Sequence, residues 1–437
     1  MKHQQTAGQD QPSRQDWFRK ARYGLFIQYG LYSLLERGEW VLNREHLPRD
    51  AYRGLSDRFT ADQLDLDRLL HRARHEWGMT YAIFTCKHHE GFCLYDSKLT
   101  DFTSVKTRCG RDLTAEFVAA CRRHGLRIGL YHTLNDWMCT PGAVDALERP
   151  GACHQPFIDY VHGQFREILT NYGPIDVLWY DGWWPFDGAG WQAEKLNAMA
   201  RALQPGILLN GRCGLPGDFD TPEGHIAPAP EGRLWEAYLN LNESGGYHRG
   251  DQDWKSPRQI AEALRQCAAG QGNLMLNLAP RGDGSLPEPW ERCVSTVGAW
   301  LRLNCEAIFT DRRFLCSLRH REGAPADFTQ HGRFTASADA FYWHVANWPG
   351  NPLRLYGVCC EVTEVSRLDD GQRLPFRQEG LLVTVDGLPG DLDAAMPVVL
   401  RFRVRGEPCI YNCGGYGIPA VPHCRYDPLP SDLLERA

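Results

Sequence analysis

The sequence predicts an α/β fold, namely a (β/α)8-like TIM barrel over residues 14–315 followed by a small antiparallel β-sandwich over residues 316–405. Up to about residue 315, short apolar runs alternate with amphipathic helical patterns, which is typical of a parallel barrel. Beyond that point, short strand-like runs are separated by Pro, Gly and Asp turns, which is typical of a sandwich. A chain of 437 residues accommodates one barrel-sized domain and a smaller module.

Seven apolar runs predict strands of the barrel, and three amphipathic patterns predict helices between them. The predicted strands are 24–29, 81–85, 128–132, 176–180, 207–210, 234–239 and 273–278. The predicted helices are 112–124, 157–171 and 254–269. The first helix is followed by Gly125, a residue type that commonly ends helices, and the third opens with Ser256-Pro257, which favours a helix start.

Four further runs predict strands of the sandwich, at 340–346, 353–358, 381–385 and 398–404. Residues 1–13 are polar, and we expect them to be disordered. Residues 406–437 are rich in Cys, Gly and Pro, and we expect a tail that packs on the surface.

Composition and charge limit the partners and the location of the protein. The net charge is −6 with both signs interspersed, which argues against a nucleic-acid or anionic-membrane partner. No stretch approaches the ~20 apolar residues that span a membrane. The polar start lacks the apolar region of a secretory signal, and several of the 16 cysteines fall within predicted strands or helices, as buried reduced thiols do. We therefore expect a cytoplasmic protein; the sequence leaves a homo-oligomer open.

The tail contains one candidate metal site. Cys409 and Cys413 are separated by three residues, a spacing found in zinc sites, and His423-Cys424 is a candidate second half. Because that second half is two adjacent residues rather than a spaced pair, a structural zinc is the less favoured interpretation.

A pair of histidines, His88 and His89, follows the second predicted strand. Metal-dependent barrel hydrolases use an His-x-His pair, because residues two apart on a strand point to the same face. Adjacent histidines are expected to point apart. The sequence therefore argues against a catalytic metal site at this histidine pair.

Catalytic groups of a barrel lie at the carboxyl ends of its strands. Residues 175–181 form a strand that ends on Asp181, with Gly182, Trp183 and Trp184 directly after it. Aromatic faces stack on the C–H faces of a pyranose, and a carboxylate can attack an anomeric carbon. Taken alone, such an aspartate is more often a helix cap. Other strand ends and loops, however, also carry polar or aromatic groups: Gln28 and Tyr29, Lys87 to Phe92, Tyr131 and His132, Asn210 to Arg212, Thr221 to Glu223, and Trp235 and Glu236.

In this order the residues resemble the α-L-fucosidases of glycoside hydrolase family 29, over about residues 14–400. The matching stretches are Gly24 to Ile27, Gly38 to Trp40, Lys87 to Phe92, Asp96 to Lys98 with Thr100-Asp101, Gly129 to Tyr131, Asn171 to Asp176, and Asn273 to Leu278 with Asp283-Gly284. The resemblance implies a retaining exo-glycosidase that releases terminal α-L-fucose from a carbohydrate by double displacement. It also implies a barrel followed by a β-sandwich, with no catalytic metal or organic cofactor.

The resemblance assigns two carboxylates. Asp181 resembles the nucleophile of the family. Glu223 follows it by 42 positions (223 − 181) and resembles the loop glutamate that serves as acid/base in several members. Glu236 is the alternative acid/base, although we expect it to buttress the site instead. The retaining reaction requires the two carboxyl groups to lie about 5–5.5 Å apart.

The resemblance also assigns residues that bind the sugar. It implies hydrogen bonds from His88 and His89 to ring hydroxyls, from the Trp40 indole to a hydroxyl, and a contact from Arg212 near the nucleophile. Trp40 is equally compatible with a place in the core, and Arg212 with an ion pair to Asp181. Further candidate contacts come from four other side chains: Gln28, Tyr131, His132 and Trp183.

Three positions depart from the family pattern. Gln28-Tyr29 stands where the family usually has His-Trp, and His132 replaces the second Tyr of a Tyr-Tyr pair. Gly245-Gly246 lies where an aromatic residue often packs on the C6 methyl of fucose. Less bulk there leaves room for a hydroxymethyl group, so the alternative substrate is a related sugar such as α-L-galactose. A sugar-binding homologue with weak catalysis is the other alternative.

Overall fold

The computed structural model describes residues 14–230, 232–312, 328–329, 332–348, 350–389 and 396–410. The chain divides into two compact units between Arg302 and Leu303. The predicted domain boundary at 315/316, the predicted disordered residues 1–13 and most of the predicted tail lie outside the described residues, so these remain predictions.

The first unit contains an eight-stranded parallel sheet, which confirms the predicted barrel. Its order is β5-β4-β3-β2-β1-β8-β7-β6, and a parallel bridge between Asn210 and Phe219 joins its outer strands, so the sheet is nearly closed. The strands are β1 (Tyr23–Ile27), β2 (Tyr81–Lys87), β3 (Arg127–Thr133), β4 (Val177–Asp181), β5 (Leu208–Leu209), β6 (Phe219–Asp220), β7 (Leu234–Asn240) and β8 (Asn273–Leu278). Only β6 was not predicted, since two residues form no apolar run.

Ten α-helices accompany these strands in the described residues. They are α1 (Asp16–Ala21), α2 (Val41–Arg44), α3 (Arg49–Arg53), α4 (Leu66–His75), α5 (Leu113–His124), α6 (Ala143–Glu148), α7 (His154–Thr170), α8 (Ala193–Leu203), α9 (Pro257–Ala269) and α10 (Glu288–Ile308). The predicted start signal of α9 is used, because the Ser256 hydroxyl accepts a hydrogen bond from the amide of Gln259. The Asp112 carboxylate caps α5 in the same way, accepting from the amide of Ala115. None of the described helices is long and apolar enough to cross a membrane.

The second unit contains two antiparallel sheets around one apolar core, which confirms the predicted β-sandwich. The strands are β9 (Phe328–Thr329), β10 (Gly332–Ala336), β11 (Ala340–Val345), β12 (Leu353–Tyr356), β13 (Glu361–Arg367), β14 (Phe376–Glu379), β15 (Leu382–Val385) and β16 (Val398–Arg405). One sheet has the order β13-β16-β11-β10-β9 and the other β12-β15-β14. Of the candidate zinc ligands, Cys409 is described, whereas Cys413 and His423-Cys424 lie outside the described residues.

A buried ion pair connects the end of β2 with the loop that follows β3. The Lys87 ammonium lies 2.6 Å from a carboxylate oxygen of Asp136, and the two side chains are 0% and 2% exposed. Lys87 also donates to the side-chain carbonyl of Gln164, while Asp136 accepts from the backbone amides of Met138 and Cys139. Buried charges are tolerated only when they are paired and hydrogen-bonded. The pair therefore holds this loop against the barrel.

We expect Lys87→Met to lower the free energy of unfolding by about 3–5 kcal/mol, because it leaves the Asp136 carboxylate buried without its cation. Denaturant unfolding monitored by tryptophan fluorescence measures this change. The matched control is Arg292→Met, which removes an exposed ion pair with Glu288 on α10 and should cost less than about 1 kcal/mol. Equal losses in the two variants would contradict the importance of the buried pair.

Candidate active site

A cavity of about 400 Å³ lies at the carboxyl ends of the barrel strands. Its lining includes nine of the eleven site residues that the sequence predicts: Gln28, Trp40, His88, His89, Tyr131, Asp181, Trp183, Arg212 and Glu223. Other lining side chains, such as Glu39, Trp179 and Tyr238, were not predicted. The barrel therefore brings together residues that are far apart in the sequence.

Asp181 is the last residue of β4, and its side chain is 14% exposed. The Tyr131 hydroxyl donates to its Oδ2 at 2.9 Å, and Arg212 Nη1 lies 3.4 Å from its Oδ1. Gln192, not Asp181, is the N-cap residue of the following helix, α8. The helix-cap interpretation of Asp181 is thus excluded, and its carboxylate is oriented in the cavity by two side chains.

Arg212 connects the two carboxylates that the sequence predicts as catalytic. Its Nη1 lies 2.7 Å from Glu223 Oε2 and 3.4 Å from Asp181 Oδ1. These two oxygens are therefore at most 6.1 Å apart, the sum of the two distances. Retaining glycosidases separate their carboxyl groups by about 5–5.5 Å and inverting ones by about 6.5–9.5 Å, so the observed limit favours retention.

Two contacts, with the Trp179 ring and the Thr221 hydroxyl, fix the position of the Arg212 guanidinium. It lies 4.5 Å from the centre of the Trp179 ring, and its Nε donates to the Thr221 hydroxyl at 3.0 Å. Burial opposes its charged form, but the carboxylates of Asp181 and Glu223 outweigh burial and raise the pKa of Arg212. The guanidinium therefore remains a cation between the two carboxyl groups.

Glu236 lies beneath the cavity rather than in its lining. Its side chain is fully buried, and its two oxygens accept hydrogen bonds from the Tyr81 hydroxyl at 2.7 Å and the Trp179 indole at 2.8 Å. Burial raises the pKa of Glu236 to about 7. Because Glu236 holds the ring on which Arg212 rests, its contacts fit the expected buttress better than an acid/base.

His88 and His89 both face the catalytic cavity, with ring centres 4.1 Å apart. The expectation that they point apart was wrong, because both follow the end of β2, where the alternation of a strand no longer applies. His89 Nδ1 is hydrogen-bonded to the Thr133 hydroxyl at 2.6 Å, and its Nε2 lies 3.6 Å from Asp181.

Both histidines are uncharged at neutral pH. Burial, and then the cations of Lys87 and Arg212, lower the pKa of His89 to about 3. Burial and the neighbouring His89 also lower the pKa of His88. The approach of His89 to Asp181 is consequently not an ion pair, and both imidazoles remain available as neutral hydrogen-bonding groups.

His132 corrects the sequence prediction, because it does not line the cavity. Its ring is buried against Phe165, with its Nε2 3.3 Å from the Tyr95 hydroxyl. Neighbouring residues of a strand point to opposite faces, so Tyr131 faces the barrel interior and His132 faces the surrounding helices.

Tryptophans form one wall of the cavity. Trp40 is half-buried, stacks on Trp184 with ring centres 5.5 Å apart, and contacts the ring of His89. Trp183 and Trp184 are 37% and 47% exposed. The core interpretation of Trp40 is therefore excluded, and aromatic faces are exposed where a sugar ring would enter.

Glu39 was not predicted as a site residue. It lies beside Gly245 and Gly246, the two glycines that differ from the family pattern. Its carboxylate lines the cavity and accepts a hydrogen bond from the amide of Gly246 at 2.5 Å, and burial raises its pKa. A Cβ at Gly245 would lie 2.8 Å from Glu39 Oε1 and 3.2 Å from Gln28 Nε2. The glycines thus admit polar side chains rather than leaving empty space. The only sequence signal was its place beside Trp40 in a matching stretch.

Known proteins resemble the chain in both sequence and structure. The model of a family described as "Alpha-L-fucosidase" matches residues 2–306. The tissue alpha-L-fucosidase of Rattus norvegicus is 25% identical over 415 residues, which cover 85% of this chain and 86% of the rat protein. Alpha-L-fucosidase isoenzyme 1 from Paenibacillus thiaminolyticus is 32% identical, with a TM-score of 0.80 over 90% of this chain and 99% of that one. The alpha-fucosidase of Thermotoga maritima, solved with a mechanism-based inhibitor, is 28% identical, with a TM-score of 0.73 over 89% and 96%.

Proposed function

The chain belongs to the α-L-fucosidase family of glycoside hydrolases, and from this premise we propose that it releases terminal α-L-fucose with retention of configuration, using Asp181 and Glu223. The observation that supports the proposal is the pair of carboxyl groups bridged by Arg212, whose bonded oxygens lie at most 6.1 Å apart, less than the about 6.5–9.5 Å of an inverting pair. A sugar-binding homologue without catalysis would not need both carboxylates in this arrangement.

The reaction proceeds in two displacements. Asp181 attacks the anomeric carbon, while Glu223 gives its proton to the leaving oxygen, so that a covalent glycosyl–Asp181 ester forms with inverted configuration. Glu223 then removes a proton from water, which attacks the same carbon and restores both the original configuration and the free carboxylate. The exposed position of Glu223, whose side chain is 53% exposed, gives it access to the leaving group and to water.

The remaining lining residues bind the sugar in the catalytic cavity. His88, His89 and Gln28 are neutral groups that can donate or accept hydrogen bonds, and the Glu39 carboxyl can accept from a hydroxyl. The Tyr131 hydroxyl keeps the attacking Asp181 in position. The lining therefore combines polar side chains that point into the cavity with an aromatic wall. Such a lining suits a ring that carries several hydroxyls.

The first experiment tests Asp181. We expect Asp181→Ala to lower kcat on 4-nitrophenyl α-L-fucoside by about 10³-fold or more, since the covalent step is lost. Azide enters the space that the side chain leaves and attacks directly, so the product should be β-L-fucosyl azide, identified by NMR. Unchanged turnover, or an azide product of retained configuration, would remove Asp181 from this role.

The second experiment separates the two glutamates. We expect Glu223→Ala to lose about 10²–10⁴-fold in kcat/KM and to form the α-L-fucosyl azide, because azide then replaces water on the covalent intermediate. The matched control is Glu236→Gln, whose amide still bonds to Trp179 and Tyr81. It should stay within tenfold of the unmodified enzyme and form no azide product. The opposite pattern would transfer the acid/base role to Glu236.

One observation favours a second sugar. Where the family often places an aromatic residue against the C6 methyl, this cavity places Gln28 and Glu39 against Gly245. A polar wall suits the hydroxymethyl group of α-L-galactose. We therefore propose that the enzyme accepts α-L-galactosides as well as α-L-fucosides.

Steady-state kinetics on the two 4-nitrophenyl glycosides test this second substrate. We expect kcat/KM for the α-L-galactoside to be at least one tenth of that for the α-L-fucoside, because its additional hydroxyl finds hydrogen-bonding partners. A preference for the fucoside of tenfold or more, about 1.4 kcal/mol of transition-state binding, would exclude the idea.

A further inference from the structure

We propose that a second cavity beside the catalytic one binds the leaving-group sugar of an α-L-fucosylated oligosaccharide; this inference rests on the proposed function. The cavity has a volume of about 460 Å³, within the range of small-molecule sites. It lies between α2, the loop at 135–142 and α6. We call it the aglycone cavity.

The two cavities share a wall. Trp184 lines both, and its ring stacks on Trp40 of the catalytic cavity. Trp137 lines the aglycone cavity and lies edge-on to Trp40, with ring centres 5.0 Å apart. The scissile bond joins the fucose ring to the rest of the substrate, so a substrate held by its terminal ring must pass such a shared wall.

Exposed apolar side chains concentrate at these two cavities. Seven large apolar side chains are exposed among the described residues. Four of them line the cavities, namely Val144 and Leu147 in the aglycone cavity, Trp183 in the catalytic cavity and Trp184 in both. Val144 and Leu147 of α6 are 61% and 55% exposed, whereas Ala143 and Ala146 of the same helix are buried. An exposed apolar cluster of this kind marks a binding surface.

Polar side chains complete the lining of the aglycone cavity. Asn43 and Arg49 are exposed side chains there that can bond to hydroxyls. A carbohydrate ring presents both an apolar C–H face and polar hydroxyls, so a site with aromatic faces and scattered polar groups matches it. Another cavity also adjoins the catalytic one. Apart from Trp40 and Val41, its side chains are polar or charged and include the Arg37–Glu45 ion pair, so it matches a sugar ring less well.

The test compares two substrates that differ in their leaving groups. Fucosylated lactose extends into the aglycone cavity with a disaccharide, whereas 4-nitrophenyl α-L-fucoside carries one small ring. Leu147→Asp and Val144→Asp place a charge in the aglycone cavity at two positions of α6 where the side chains are more than half exposed. We expect kcat/KM on fucosylated lactose to fall about tenfold more than on the aryl fucoside. Leu303→Asp, the same change at an exposed leucine outside both cavities, should leave the ratio unchanged.

Free lactose provides a second measurement. Because lactose is the leaving group of fucosylated lactose, it should inhibit hydrolysis of the aryl fucoside by the unmodified enzyme. Its inhibition of the Leu147→Asp variant should be several-fold weaker. Equal losses on both substrates, together with unchanged inhibition by lactose, would overturn the aglycone cavity and leave the proposed function standing. Absence of turnover on both substrates by the unmodified enzyme would instead overturn the proposed function, and this inference with it.

Discussion

The site depends on a single cation placed between two carboxylates. Without Arg212, a negative charge on Asp181 or Glu223 would lack its cation in a partly buried cavity, where Coulomb attraction at such distances is substantial. Arg212 stabilises negative charge on either carboxyl group, and the two carboxyl groups in turn offset the cost of burying its guanidinium. Its planar guanidinium also fixes geometry, because it rests on Trp179, whose indole is held by Glu236. The spacing of these two carboxyl groups is thus set from within the barrel.

Burial and nearby charges also explain why the two histidines are neutral. His89 lies between two cations, Lys87 and Arg212, and is buried, so each of these influences opposes its protonation. Lys87 is itself tolerated only because Asp136 neutralises it. A neutral His89 can exchange hydrogen bonds with a hydroxyl, whereas an imidazolium would pair with Asp181 and weaken it as a nucleophile. The buried Lys87–Asp136 pair therefore influences the electrostatics of the cavity although neither side chain bonds to Asp181.

The sequence predicted those strands and site residues that leave a local pattern in it. β8 was predicted at its exact bounds, because a strand buried on both faces forms one apolar run, whereas the two-residue β6 produces none. Asp181 and Arg212 were predicted as site residues because they lie at or just after the carboxyl ends of strands, which meet at one end of a barrel. Spacing could not separate Glu223 from Glu236, because the difference between them is burial, which depends on tertiary packing. His132 was misplaced for a related reason: a polar residue beside a strand end faces either the cavity or the helices.

The glycines at 245 and 246 show why a loss of bulk in a sequence does not by itself indicate a larger pocket. The backbone at Gly245 approaches Glu39 and Gln28 closely, so polar atoms occupy the space that an aromatic side chain would take. Tyr238 donates to Gln28 Oε1 at 2.7 Å, which leaves the amide nitrogen directed to other partners. A hydroxyl against this wall could form hydrogen bonds with Glu39 or Gln28, whereas a methyl group could form none. Sites built from hydrogen-bonding groups discriminate against a missing hydroxyl more strongly than apolar pockets discriminate against an added one. The proposed acceptance of α-L-galactosides therefore rests on the polarity of this wall, not on its volume.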